Sequence, residues 1–251
     1  MSGHSKWSTI KRKKGKEDDK RGKIFSRLAR EIIVAARAGG GDPEMNARLR
    51  VAVQAARAAN MPADNITRAI TRGTGELEGA TFEELIYEAY GPAGVAICIE
   101  VMTDNKNRTT PEMRHLLERH GGTMADKGAV MWKFERKGVV SVPRDMITED
   151  ALMEIVLDAG AEDIKTGEDN FEVYTAPETL PAITDALAAK KVDFAGAEVL
   201  LVPKAPLTLD VKTATKVLKL MDAVEEHDDV QKVFGDFDIP PNVLEELAAQ
   251  V

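Results

Sequence analysis

GVVSVPRDMITEDALMEIVLDAGAEDIKTGEDNFEVYTAPETLPAITDALAAKKVDFAGAEVLLV, residues 138–202, carries a complete structural rhythm. Residues 138–142 read as an apolar strand. Residues 148–159 then place Leu152, Ile155 and Val156 on one face of a helix. Two short strands, 163–166 and 171–175, are joined across Gly167-Glu168-Asp169-Asn170. A second helix forms around Leu180, Ile183 and Leu187, and 198–202 closes the set as a strand. The order β-α-β-β-α-β is ferredoxin-like.

Working outward, the flanks complete one another. Upstream, strands at 84–90 and 95–102 surround the turn Gly91-Pro92-Ala93-Gly94. The polar loop 103–108 leads to a helix capped by Thr109 or Thr110, with Pro111 in its first turn and Gly121 after its last. A strand is predicted at 129–136. Downstream, a helix through Val211, Ala214, Leu218 and Met221 precedes a strand at 230–234. That last pair cannot enclose a core alone, so it joins the upstream elements in one discontinuous domain.

Ahead of these lie three helices. The first, 24–38, sets Ile24, Leu28, Ile32 and Ala35 inward and Lys23, Arg27, Arg30 and Arg37 on the opposite face. After Gly39-Gly40-Gly41, Asp42-Pro43 opens a second helix to about residue 60, burying Met45, Leu49, Ala52, Val53 and Ala56. Arg50, Gln54 and Arg57 fall outside that stripe. Pro62 opens a third helix through Ile66 and Ile70 that ends at Gly73 and carries Arg68 and Arg72.

The predicted fold is therefore α+β: an N-terminal three-helix domain followed by two ferredoxin-like-type α/β sandwich domains, one inserted in the other. The predicted divisions are a flexible basic tail at 1–22, a helical domain at 23–75, a discontinuous domain at 76–136 plus 204–251, and the insertion at 137–203.

Charge points to a partner. Residues 1–72 hold 17 Lys/Arg against 7 Asp/Glu, whereas the remainder holds 17 against 35. Such segregation predicts an anionic partner for the basic part. In the tail, Lys6, Lys11, Arg12, Lys13, Lys14, Lys16, Lys20 and Arg21 suit a phosphate backbone, and Trp7 suits stacking on an exposed base. Together with Lys23, Arg27, Arg30, Arg37, Arg50, Gln54, Arg57, Arg68 and Arg72 they form the candidate nucleic-acid-binding set. Tyr87, Tyr90 and the run Asp104, Asn105, Lys106, Asn107 and Arg108 are candidates for contact with a further partner.

Catalysis finds little footing. Gly39-Gly40-Gly41 lacks the strand context of a dinucleotide site, and no phosphate-cradling loop with Lys and Ser/Thr is present. His115 and His120 are five apart and do not share a helix face as zinc ligands would. The single cysteine, Cys98, sits in an apolar strand and reads as a buried thiol; no disulfide follows. The run Glu225-Glu226-His227-Asp228-Asp229 reads as a solvated turn. The ferredoxin-like segment offers Val139, Val140 and Val142 on its first strand and Phe171 and Tyr174 on its third, without the aromatic signature of sheet-mediated RNA stacking. The expectation is a non-enzymatic, cytoplasmic monomer that needs no cofactor, no metal, no small-molecule substrate and no membrane.

Four long stretches carry a resemblance. GHSKWSTIKRKKGKEDDKRGKIFSRLAREI from residue 3, NMPADNITRAI at 60–70, YEAYGPAGVAICIEVMTDNKNRT at 87–109 and DDVQKVFGDFDI at 228–239 are similar to the YebC family. Thr71 departs from the pattern, where a lysine is expected; the departure bears on one phosphate contact. The resemblance implies a helical domain and two α/β domains around a cleft, and a transcriptional regulator that binds DNA. The DNA-binding regulator is the first expectation; the alternative that attaches to the same family is a ribosome-associated translation factor acting at proline-rich stretches, its mitochondrial relatives being translational activators. A third reading is a scaffold whose acidic cleft holds protein partners.

Overall fold

The computed structural model describes residues 17–79, 81–167 and 169–249. Its helical part contains α1 (Glu17–Gly39), α2 (Ala47–Ala58) and α3 (Ala63–Thr74). The first sheet region contains β1 (Glu83–Tyr90), β2 (Ala96–Thr103), α4 (Lys106–Arg119) and β3 (Thr123–Ala125). Then come β4 (Phe134–Pro143), α5 (Glu149–Asp158), β5 (Asp163–Thr166), β6 (Asn170–Thr175), α6 (Leu180–Ala189) and β7 (Gly196–Pro203). The chain finishes with β8 (Leu207–Thr208), α7 (Val211–Glu225), β9 (Val230–Gly235), β10 (Phe237–Asp238) and α8 (Pro241–Ala249). Two compact units result, one of residues 17–129 with 215–233, the other of residues 130–214 with 234–249.

The three-helix core gathers Ile32, Ile33, Ala35 and Ala36 of α1, Leu49, Ala52, Val53 and Ala56 of α2, and Ile66 and Ala69 of α3. Phe25 and Leu28 pack against it, while Ile24 is 46% exposed; the apolar stripe of α1 runs one residue to the side of the predicted one. The helix also starts earlier than predicted. Residues 17–22, assigned to a flexible tail, belong to α1.

Asn46 decides where α2 begins. Its side-chain oxygen accepts from Leu49 N–H at 3.1 Å, and its amide donates to the carbonyls of Ala35 at 2.8 Å and Gly40 at 2.9 Å. One buried amide therefore satisfies the end of α1 and the start of α2 together. Asp42 makes the preceding turn instead, and Met45, predicted buried, is 85% exposed. Gly73 does not end α3. It lies inside the helix, where a Cβ would stand 2.6 Å from Ile33 O and from Ala36 Cβ, and Gly75 at φ +85° supplies the left-handed terminus.

The first sheet runs in the order β3-β1-β2-β9. Its central strand β2 is buried along nearly its whole length, as continuous apolar sequence requires when both faces are covered. The strand predicted at 129–136 is not formed as such. The short strand β3 pairs with β1 (Tyr90 opposite Thr123), and 131–133 is a 3₁₀ turn. Phe134 onward belongs to β4, which passes through Gly138 without a break.

The second sheet is antiparallel throughout, with the order β5-β6-β4-β7. This is the ferredoxin-like arrangement. Val140, Val142, Phe171 and Val173 of the sheet meet Leu152 and Val156 of α5 and Ile183 and Leu187 of α6. Each such side chain, once buried, contributes about 1.5–3 kcal/mol before its ordering cost. Gly138 faces Leu180, whose Cβ lies 3.0 Å from where a Cβ would be, so the glycine admits a helix rather than ending a strand.

Candidate nucleic-acid interface

Lys23, Arg27 and Arg30 do share one face of α1, as their spacing requires. That face meets the chain itself. Lys23 donates to Glu226 O at 3.0 Å, Arg27 to Glu225 O, and Arg30 to Asp228 O. The last carbonyls of α7 have no partner within their own helix, and cations at that end also complement the helix dipole. Burial lowers the pKa of the Arg27 guanidinium, with Glu225 opposing. The stripe offered by the sequence to phosphates is here a cap, and the run 225–229, expected to be a solvated turn, is what it caps. Arg37, beyond the cap, is exposed.

Asp229 binds the same region together. It is almost fully buried and accepts 2.7 Å hydrogen bonds from Thr109 Oγ1 and from Arg108, with Arg30 at 3.7 Å. Burial alone would raise the Asp229 carboxyl pKa; the Thr109 and Arg108 hydrogen bonds and the nearby arginine charges outweigh it and hold the group below its ordinary value. His227 accepts from Asp229 N–H through Nδ1 at 3.2 Å, and its Nε2 lies 3.2 Å from Glu112.

The predicted polar loop 103–108 is shorter than expected. Asn105 caps α4, its side chain accepting from Arg108 N–H at 3.1 Å, so Lys106, Asn107 and Arg108 are helical and Pro111 lies inside the helix. Asp104 bonds Arg108 at 3.2 Å. Tyr87 shares a 2.7 Å hydrogen bond with Thr110, and Tyr90 donates to Ala129 O at 3.2 Å. Between α1, α4 and the 226–229 turn lies an open cleft of about 930 Å³, whose walls mix Lys23, Arg30, Arg108 and Arg119 with Glu112, Glu226 and Asp228.

The exposed polar set sits on α2 and α3. Arg50, Gln54 and Arg57 occupy successive turns of one α2 face, all exposed. Among the described residues, nothing hydrogen-bonds or ion-pairs with the Arg37, Arg50, Arg57 or Arg72 guanidinium. On α3, Arg72 lies one turn from Arg68, which makes long bonds of 3.4 Å to Asp64 O and Asn65. Lys6, Trp7, Lys11, Arg12, Lys13, Lys14 and Lys16 lie outside the described residues, and Lys20 and Arg21 are described only as part of the α1 backbone. Arg48, absent from the candidate set, pairs with Glu31 and Glu84, which hold its pKa above the usual guanidinium value.

The residue that sequence reasoning passed over is Trp132, 66% exposed on the 3₁₀ turn. Inside Ala129-Val130-Met131-Trp132-Lys133-Phe134 it read as one more apolar position of a strand. Cys98 is fully buried. Among the described residues no group of His, Cys, Asp or Glu could hold a metal ion, and no helix is long and apolar enough to cross a membrane.

Comparison with known proteins places the whole chain. The TACO1/YebC N-terminal domain matches residues 5–76, and the TACO1/YebC second and third domains match residues 82–237. A protein of Syntrophus aciditrophicus named "Probable transcriptional regulatory protein" is 52% identical over 99% of this chain and 100% of its own length. A like-named protein of Pelotomaculum thermopropionicum is 54% identical over 95% of this chain and 99% of its own. The crystal structure of a conserved hypothetical protein from Aquifex aeolicus superposes with a TM-score of 0.82 at 48% identity, over 89% of this chain and 92% of that one. The chain belongs to the TACO1/YebC family.

Proposed function

We propose that this chain is a non-enzymatic, nucleic-acid-binding regulator of gene expression, and that DNA is its target in a transcriptional role. The observation that carries the reading is the outer face of α2, where Arg50, Gln54 and Arg57 stand exposed on successive turns. Arginine and glutamine are side chains that reach phosphates and base edges alike. The naming of the Syntrophus and Pelotomaculum relatives supports the transcriptional reading.

A second reading, a translation factor docked on ribosomal RNA, is favoured by a different observation. With Lys23, Arg27 and Arg30 engaged by the chain's own carbonyls, the described cations do not form a continuous track along α1. A short, separated set suits irregular RNA better than the regular phosphate spacing of a duplex.

Crosslinking in growing cells, with attached DNA and RNA sequenced in parallel, tests both. Discrete promoter DNA with little ribosomal RNA is the expected result for the first reading. Enrichment of ribosomal RNA at one surface would replace it with the second, and recovery of neither would sink the proposal altogether.

A further inference from the structure

Residues 59–62 alone turn the chain from α2 into α3, and hydrogen bonds fix their course. Asn60 adopts the left-handed conformation at φ +59°, which asparagine tolerates better than most side chains. Its N–H donates to Arg57 O and that of Met61 to Ala56 O, both at 2.9 Å, closing α2. Met61 and Ala56 are both buried in the three-helix core. Pro62 then leads into α3, its carbonyl accepting from Asn65 N–H at 2.9 Å.

The two helices do not lie side by side. Each packs chiefly on α1, and they approach one another far less than either approaches it. Helices joined so tightly in an antiparallel hairpin would run alongside each other. A short turn with so slight an approach describes a steep crossing, which is the helix-turn-helix arrangement.

This arrangement turns one face of α3 to solvent. Ile66, Ala69 and Gly73 are buried, with Gly73 pressed against Ile33 and Ala36 of α1. At 100° per residue, Asp64, Thr67 and Arg68 fall on the opposite side, and all three are exposed. The Arg68 guanidinium is held by two bonds of 3.4 Å along its own helix, to Asp64 O and to Asn65. Bonds of that length are weak, so the side chain leaves them at little cost. Thr67 beside it is short and lets the helix come close to what lies opposite. A helix fits the major groove of B-form DNA, where guanine offers O6 and N7 as paired acceptors for an arginine fork.

We propose that α2 and α3 form a helix-turn-helix reader of duplex DNA. In it α3 enters the major groove, Arg68 reads a guanine, and Arg50 and Arg57 of α2 hold phosphates as that helix crosses the backbone. The proposal rests on the DNA reading above and assigns base recognition to α3 rather than α2.

The test exposes the full chain to a pool of short DNA duplexes with a random central segment. Repeated selection should enrich a sequence containing guanine. Arg68→Ala should lower affinity for that duplex roughly 5- to 150-fold, while leaving unselected duplexes and the thermal midpoint unaffected. Replacing the guanine by 7-deazaguanine, which lacks N7, should cost the parent chain much of that factor and the Arg68→Ala chain nothing. Arg50→Ala/Arg57→Ala should bind more weakly and still enrich the same sequence. Binding without enrichment, a selected sequence without guanine, or an Arg68→Ala chain that keeps the parent's preference would overturn the reader and leave DNA binding standing. So would 7-deazaguanine bound as tightly as guanine. Absence of binding to the whole pool would overturn the DNA reading with it.

Discussion

Arg30 Nη1 on α1 donates to the backbone carbonyl of Asp228, a residue 198 positions further along the chain, and the same guanidinium lies 3.7 Å from the Asp229 carboxylate. The basic stripe of α1 is therefore a structural element first, and substitutions in it should be read as changes in stability.

Arg27→Ala and Arg30→Ala should each cost about 1–2 kcal/mol, from lost charge-assisted hydrogen bonds and lost packing of the side-chain stem. For a chain of this size the thermal midpoint should fall by roughly 2–4 °C per kcal/mol. Calorimetry checks this. Unchanged melting with weakened nucleic-acid binding would return these two residues to the interface.

The double variant Arg50→Ala/Arg57→Ala should behave in the opposite way. Both side chains are exposed, so the midpoint should hold within the small range expected of surface changes. Affinity should fall for every sequence tested, and the slope of log affinity against log salt should become shallower by about two, one for each phosphate contact removed. A salt slope identical to that of the parent chain would take α2 out of the interface.

Asp229 makes the fold sensitive to acid. Its carboxyl titrates below the ordinary value in the folded chain, so its stabilisation is complete above the usual carboxylate range and is lost as pH falls through the lowered value. Asp229→Asn should cost about 1–3 kcal/mol at neutral pH, when Thr109 and Arg108 lose a charged acceptor. Below about pH 4 the deficit should shrink. Denaturant melts at pH 7 and pH 3 measure it, and a deficit that is equal at both would refute the assignment.

Gly73→Ala should destabilise α3 against α1 although alanine favours helices. Its Cβ would meet Ile33 O, a backbone atom, at 2.6 Å, and a backbone shift of that kind costs about 1–3 kcal/mol. A gain in stability would show that α1 and α3 separate more readily than their packing implies.

How far the sequence speaks for itself varies along the chain for physical reasons. Residues 138–202 were legible because each element has its own period and its own punctuation, and because the core they build is local to them. The start of α2 was not, since Asp42-Pro43 and Asn46 compete as helix signals within five residues. The winner is the one whose amide can also reach Ala35 O, a fact of tertiary structure. At Gly138 and Gly73 the absence of a side chain makes room for a neighbour, which looks in sequence like a place to stop. The stripe Lys23–Arg27–Arg30 was visible, yet nothing local announces that its acceptors are carbonyls at the far end of the chain. Trp132 went unmarked because one exposed ring inside an apolar run has the same letters as a buried one.

The distance in sequence between Lys23 and its acceptor at Glu226 is 203 residues. On a ribosome adding about 5–20 residues per second, that separation amounts to roughly 10 to 40 seconds. Over that interval α1 exists with its cations unspent, and β2 waits for β9 along one edge. The newborn chain thus passes through a stage in which its basic face is open to any anion nearby, the ribosome included, before its own last quarter arrives to claim it.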